Sequence, residues 1–248
     1  FRLLWYDNHH RSVSAREQYD GYAFDAFDLA LPYGESLKRV YEQAGWFKRV
    51  GNLPEAADPT VFKPLPNVQN EGDIVWIGNW GGEERAEELF AYFIRPVQRL
   101  GLRATMYGVD YPEAVLEELH ASGIAYKGWL PNFRVPEVFA AHRMTLHIPR
   151  RYYLEQLPGI PTIRTFEALA CGIPLISSQW QDTEGHFDGL DAFWQVDSGE
   201  QAEAAMQHIL QHPDTAREKS RRAHEHVLAQ HTYMQRANLL MNYLKTLT

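Results

Sequence analysis

Cysteine is nearly absent: Cys171 stands alone among 248 residues. That excludes an internal disulfide framework and fits a reducing compartment, so a cytoplasmic protein is expected. No apolar run approaches the about 18 residues of a membrane span. No Lys/Arg run or basic stripe offsets a formal net charge of -8, which argues against a general nucleic-acid binder. There is no CxxC pair and no HExxH motif, so neither a structural nor a catalytic metal is indicated, and no cofactor is expected. Repeats and low-complexity segments are also missing. No signal-peptide pattern precedes the first apolar stretch, and residues 2–6 already read as a buried strand. The expectation is a piece of a longer protein, its upstream part lacking.

What the chain does have is alternation. Strand patterns at 2–6 and 28–32 are followed by a helix at 35–44, with Leu37, Val40, Tyr41 and Ala44 at helical spacing and Gly45 as its stop. A strand is predicted at 47–51. Pro54, Pro59, Pro64 and Pro66 then mark a semi-rigid connector. Beyond it come strands at 74–78, 103–108, 124–128, 145–148, 174–177 and 192–196. Helices are predicted at 83–100, kinked by Pro96, at 112–122, at 136–141 and after Pro161. From Glu200 the chain is helical, with breaks at Pro213 and near His231. The fold class is therefore α/β: a six-stranded, doubly wound parallel Rossmann-like sheet with a helical C-terminal tail, preceded by a partial second Rossmann-like unit. The expected division is 1–60 for the end of an N-terminal domain and 61–248 for a ligand-binding domain.

The stretch 161–178 carries the most chemistry. A helix begins beside Pro161, stops at Gly172 and runs into an apolar strand. Its N-terminus offers free N–H groups and partial positive charge to a phosphate, around Thr162, Ile163, Arg164 and Thr165. Arg164 adds a planar cation. Glu167 lies about one turn further along, roughly 5 Å, where a carboxylate reaches the two hydroxyls of a ribose. Arg164 and Glu167 are also spaced to pair with each other. Arg150 and Arg151 follow a strand end and suit a leaving diphosphate, Arg150 being favoured, although a solvated pair is the alternative. The loop Gly78-Asn79-Trp80-Gly81-Gly82 resembles a phosphate loop without the GxGxxG spacing; an ordinary strand-to-helix turn fits equally well. The acids Glu83, Glu84, Glu87 and Glu88 would repel an anion there, so the anion is placed at the other helix. Trp129, followed by Leu130, is a candidate to flank a nucleobase, with core packing as the alternative. His9 and His10 sit in a polar cluster after the first strand and are candidates for acid/base or acceptor contacts, with a surface turn as an equal alternative. His142 and His147 are read as structural, and Cys171 as a small buried residue.

These residues resemble GT-B glycosyltransferases of the family-four type, especially the branch similar to spore-maturation glycosyltransferases. The resemblance is carried by Phe166-Glu167-Ala168-Leu169-Ala170-Cys171-Gly172-Ile173-Pro174. The stretches at 55–62, 75–80 and 126–130 support it. It implies transfer of a sugar from a nucleotide-diphosphate donor to a hydroxyl acceptor, with retention and without an essential metal. It assigns the ribose to Glu167. Gly78, Asn79, Trp129, Leu130 and 162–165 would hold the donor, and Arg164, Arg150 and His10 would act in the transfer. The family pattern has a second glutamate eight positions before Glu167, where this chain has Gly159. The usual Arg–Lys pair after the first strand is replaced by Asn79 and Trp80. A non-catalytic nucleotide-sugar-binding module, or the inactive half of a split transferase, is the rival. A nicotinamide-dependent dehydrogenase is a third reading, weakened by the lack of GxGxxG. Base, sugar, acceptor and oligomeric state are open.

Overall fold

The computed structural model describes residues 3–7 and 21–247. Two parallel sheets are present among them. In the smaller, β1 (Leu4–Asp7) pairs with β2 (Leu29–Pro32), Leu4 opposite Leu29. β2 is buried along its whole length, as its apolar run Leu29-Ala30-Leu31 requires. α1 (Glu35–Ala44) follows and ends at Gly45, whose positive φ lets its N–H return to the carbonyls of Tyr41 and Glu42. The strand predicted at 47–51 shrinks to one bridge, Ala30 to Val50. The physical reason is Pro32, which has no N–H with which to extend the ladder. Its carbonyl still accepts from the Leu53 N–H at 2.8 Å.

The larger sheet starts with β3 (Gly72–Ile77). The helix predicted at 83–100 is broken into α2 (Ala86–Leu89), a π turn over Phe90–Ile94 and α3 (Arg95–Leu100). Pro96 cannot donate to the preceding turn, and the Arg95 N–H reaches back five residues to the Phe90 carbonyl instead. Next come β4 (Ala104–Tyr107), α4 (Glu113–Ala121), β5 (Ala125–Tyr126), α5 (Val135–Ala140) and β6 (His142–His147). A short α6 (Arg151–Glu155), invisible to the periodicity, precedes α7 (Ile163–Ala170). The chain closes with β7 (Leu175–Ser178), β8 (Trp194–Val196), α8 (Gly199–Gln211), α9 (Pro213–Gln230) and α10 (Tyr233–Lys245).

The strand order is β5-β4-β3-β6-β7-β8, all parallel. Alternation along β3 feeds both faces: Ile74 and Trp76 join Leu89, Phe93 and Met206 on one side, while Val75 joins Phe139, Phe166 and Leu169 on the other. Each of these large side chains contributes roughly 1.5–3 kcal/mol when fully buried. The order reverses direction between β3 and β6. Their C-terminal ends therefore open a crevice, where ligands of doubly wound sheets bind.

The tail returns to the small sheet. Leu240, Tyr243, Leu244 and Leu247 pack on Leu29 and Leu31. The Tyr243 hydroxyl accepts from the Asn52 N–H at 2.9 Å and donates to the Asn52 carbonyl at 3.2 Å. The blocks also meet directly: Leu157 and Ile160 belong to the core of the first block, and the Tyr33 and Tyr153 hydroxyls lie 3.0 Å apart.

Candidate functional site

A cavity of about 220 Å³ sits at the β3–β6 crevice, lined by Trp76, Arg85, His147, Arg150, Tyr153, Thr162 and Arg164 among others. Three guanidinium groups thus converge on one space at the C-terminal edge of the sheet. Each arrives on a different element, so no local sequence pattern announces the set.

Arg85 precedes α2 and was not among the candidates. Its guanidinium lies 5.4 Å from the centre of the Trp76 ring. It donates weakly to the Asn79 carbonyl at 3.4 Å, and its Nε is buried with no hydrogen-bond partner among the described residues. Burial, then the charge of Arg150, lowers its pKa to about 10. A desolvated cation without a carboxylate partner is costly unless an anion joins it. The only signal in the sequence was a lone arginine between two pairs of acids.

Arg150 enters from the loop after β6, as expected, and pairs with Glu84 at 3.0 Å. Arg151 pairs with Glu87 and Glu88 at 3.0 and 3.2 Å and is not part of the cavity lining. The acids predicted to repel an anion are therefore partly neutralised by the arginines beside them.

α7 places Thr162 at its N-cap and Arg164 in its first turn. Arg164 Nη1 lies 2.6 Å from Glu167 Oε2, and Arg164 Nη2 donates to Asn132 Oδ1 at 3.3 Å. Asn132 Nδ2 donates to Glu167 Oε1 at 2.9 Å. Glu167 is only 1% exposed and lies beneath this pair rather than on the cavity wall. Burial pushes its carboxyl pKa up, and Arg164 and Asn132 pull it back in part. Asn132 is a second residue the sequence did not single out. Ile163 faces a different cavity, beside Tyr6, Glu55, Tyr233 and Arg236. Glu55 accepts a hydrogen bond from the Ile163 N–H. The start of α7, expected to be free of acids before Glu167, has one brought to it from the connector. Thr165 is fully buried, its hydroxyl without a hydrogen-bond partner among the described residues.

Gly78 ends β3. Its carbonyl accepts from the Tyr111 hydroxyl at 2.7 Å and from Trp76 Nε1 at 3.1 Å. A Cβ on Gly108 would come within 1.9 Å of that carbonyl oxygen, so glycine permits the approach. Asn79 Oδ1 accepts from the Val109 N–H at 3.2 Å. Gly78 and Asn79 thus tie two loops together at the cavity edge and are not part of its lining. Trp129 is 72% exposed, not core, and Leu130 packs against the α7-side core. His9 and His10 lie outside the described residues. His147, read from the sequence as structural, lines the cavity.

Gly159 has φ +92, and a Cβ built there would meet Thr183 Oγ1 at 1.9 Å. At the position that carries a glutamate in the resembling family, a side chain here would be strained by the positive φ and would have to displace the Thr183 hydroxyl.

Residues 85–242, more than half of the chain, match a family model described as Glycosyl transferase-like. The chain belongs to this glycosyl transferase-like family. The match begins at Arg85 and takes in all three arginines of the crevice, Asn132 and α7. Solved structures share its fold at low identity. Sucrose-phosphate synthase from Thermosynechococcus elongatus superposes with a TM-score of 0.72 at 15% identity, over 100% of this chain and 68% of that one. Anabaena Alr3699/HepE in complex with UDP and glucose gives 0.72 at 13% identity, over 98% and 71%. T4 phage BGT in complex with UDP and Mn2+ gives 0.67 at 14% identity, over 100% and 74%. These are GT-B folds, and the chain is a glycosyltransferase of that architecture. No curated protein matches the sequence. No helix among the described residues is long and apolar enough to cross a membrane.

Proposed function

We propose that this glycosyltransferase takes a nucleotide-diphosphate sugar as donor and passes the sugar to a hydroxyl acceptor with retention of configuration and without an essential metal. The observation that carries the reading is the convergence of Arg85, Arg150 and Arg164 on the crevice at the switch point, beside the start of α7. Arg85, with no ion-pair partner among the described residues, Arg150 and Arg164, each sharing its charge with one carboxylate, and a helix N-terminus suit two phosphates. They stabilise the charge that grows on the departing nucleoside diphosphate, a preorganised electrostatic role. That countercharge is what supports a metal-independent transfer. Glu167, buried under Asn132 and Arg164, becomes the acceptor for the ribose hydroxyls when those two side chains turn from it to the donor. Trp129, exposed beside this helix-facing turn, is the platform for the base. The arrangement of Arg164 on the glutamate helix supports membership of the spore-maturation-like branch, and the single buried Cys171 supports a cytoplasmic location. Alr3699/HepE binds UDP and glucose and T4 phage BGT binds UDP, so a uridine donor is the first to test.

Thermal shift and titration calorimetry with UDP, GDP, ADP and NAD test the reading. Stabilisation by a nucleoside diphosphate is expected, reaching about 2.7 kcal/mol at roughly 100 times Kd. Glu167→Ala should abolish it. Stabilisation by NAD alone would sink the reading.

Gly159 favours a second reading, a nucleotide-sugar-binding module without turnover, because the glutamate at the donor-sugar end is replaced by a glycine whose positive φ disfavours any side chain. Release of nucleoside diphosphate from a sugar donor separates the two: a binding module holds the donor intact.

A further inference from the structure

His147 closes β6 at the cavity, and the transfer described above gives it no task. Its ring is clamped between two hydroxyls. Nδ1 lies 2.9 Å from Ser177 Oγ, and Nε2 lies 2.9 Å from Thr162 Oγ1. The Ser177 proton is already committed, because Oγ donates to the Ser178 carbonyl at 3.0 Å. Ser177 Oγ therefore faces the imidazole as an acceptor, and Nδ1 carries the hydrogen. The ring is neutral: burial above all, then the charges of Arg85 and Arg164, lower its pKa to about 3. A neutral ring protonated on Nδ1 has its lone pair on Nε2, so the Thr162 hydroxyl donates to it.

Thr162 is the N-cap of α7. A threonine there ordinarily turns its oxygen onto an amide two or three residues ahead. Thr162 makes no such bond; its hydroxyl is held by His147 instead. The helix start is thus left without its own side-chain cap at the place where Thr162 and Arg164 line the cavity. A capping hydroxyl and a phosphate oxygen compete for the same first-turn amides.

We propose that His147 is a positioning residue: with the Ile163 N–H turned to Glu55 and the Thr165 N–H to the Thr162 carbonyl, it draws the Thr162 hydroxyl off the N-terminus of α7 and keeps the remaining first-turn amide, that of Arg164, open for the diphosphate of the donor. The proposal rests on the donor-site reading above. It places a Ser177–His147–Thr162 chain behind the site, with no proton transferred and no bond made or broken.

A double-mutant cycle on the whole chain tests it, with UDP as probe and calorimetry as readout. His147→Asn keeps a donor toward Ser177 and removes the acceptor for Thr162. We expect it to weaken UDP binding about fivefold to tenfold. In a Thr162→Val background, where no hydroxyl is left to cap the helix, the same change should cost less than twofold. A merely structural histidine would give the same loss in both backgrounds, and that result overturns the proposal. So does a His147→Asn variant that binds UDP as wild type does. If the variant fails to fold, the imidazole nitrogen chemical shifts of the wild type decide: a protonated Nδ1 with a bare Nε2 supports the chain of bonds, and a protonated Nε2 overturns it. Wild type that binds UDP while the cycle is additive removes the His147 role alone. Wild type that binds none of UDP, GDP and ADP removes the donor site and this role together.

Discussion

Glu184 Oε1 accepts a 2.7 Å hydrogen bond from the backbone N–H of Glu35, so a side chain of the second block caps a helix of the first. The N-cap residue of α1 is Gly34, which has no side chain to do this. Glu184 Oε2 also accepts from Asn52 Nδ2 at 3.0 Å, and the same nitrogen donates to Glu35 Oε1 at 3.0 Å. Burial alone would raise the Glu184 pKa, but hydrogen bonds from His186, Glu35 and Asn52 outweigh it and hold the carboxyl below its usual range. Glu184→Ala should therefore cost about 2 kcal/mol and loosen the two blocks. Urea denaturation measures the first effect. Faster cleavage by subtilisin in the exposed stretch 66–70 of the connector reports the second.

Arg85 should show opposite effects on stability and binding. Its guanidinium has no ion-pair partner among the described residues and stacks by Trp76. Arg85→Met keeps the apolar stem and removes the desolvated charge. We expect a fold at least as stable as wild type, with UDP affinity down about 10–100-fold, the loss of a charge-assisted hydrogen bond of roughly 1.5–3 kcal/mol. Thermal melting without ligand and calorimetry with UDP check the two halves.

Gly159→Ala should be strongly destabilising, by about 2 kcal/mol or more, because positive φ and contact with Thr183 act together. Gly159→Glu, which restores the family residue, should be worse and gain no activity. Thr183→Gly should recover the steric part in the Ala variant and leave the backbone strain. Equilibrium unfolding of the single and double variants separates the terms.

Stability should fall on both sides of mildly acid pH, from different groups. Burial, with Glu167 nearby, holds the Glu55 carboxyl up at about 7 against an ordinary 4.5. Its contribution is complete below 4.5 and lost as pH rises through 7. Burial first, with Arg236 among the opposing charges, holds His231 at about 4, and His147 stands at about 3. Both must stay neutral, so their contribution is complete above 6.5 and is lost as pH falls toward those values. The slopes oppose one another between 4.5 and 6.5. Above 6.5 Glu55 acts alone, and Glu55→Gln should be more stable than wild type at pH 8 by roughly 1–3 kcal/mol. His231→Gln should flatten the acid limb. Urea melts from pH 4 to 9 give both curves.

Trp129→Ala should leave stability within about 0.5 kcal/mol, since the ring is solvent-exposed. A base-stacking role predicts a loss of UDP affinity of about 1–3 kcal/mol. Unchanged affinity would leave Trp129 an ordinary surface residue.

The fold was legible because its signals are local. The periodicity of α1, its stop at Gly45, the two tail breaks at Pro213 and His231 and the apolar strands of the large sheet all stand in the sequence. Pro96 marked the disturbed helix, though not that a π turn would absorb it. The strand at 47–51 was overestimated because the limit lies in a neighbour: Pro32, on another strand, lacks the N–H the ladder needs. For the site, the reading of the sequence named Arg150, Thr162 and Arg164, which the structure brings to one cavity. It did not find Arg85, Asn132 or His147, whose sequence surroundings are unremarkable.

The sequence by itself determined the α/β alternation, the glutamate-led helix and the absence of disulfide, basic stripe and membrane-length apolar run. Each of these is set by composition or by spacing within a few residues. Tertiary structure decided the rest: which arginines share a cavity, that Glu55 reaches the start of α7, that Glu184 caps α1 and that Thr183 crowds Gly159. Those facts depend on charges, hydrogen bonds and volumes shared between segments distant in the chain, and only packing brings such segments together.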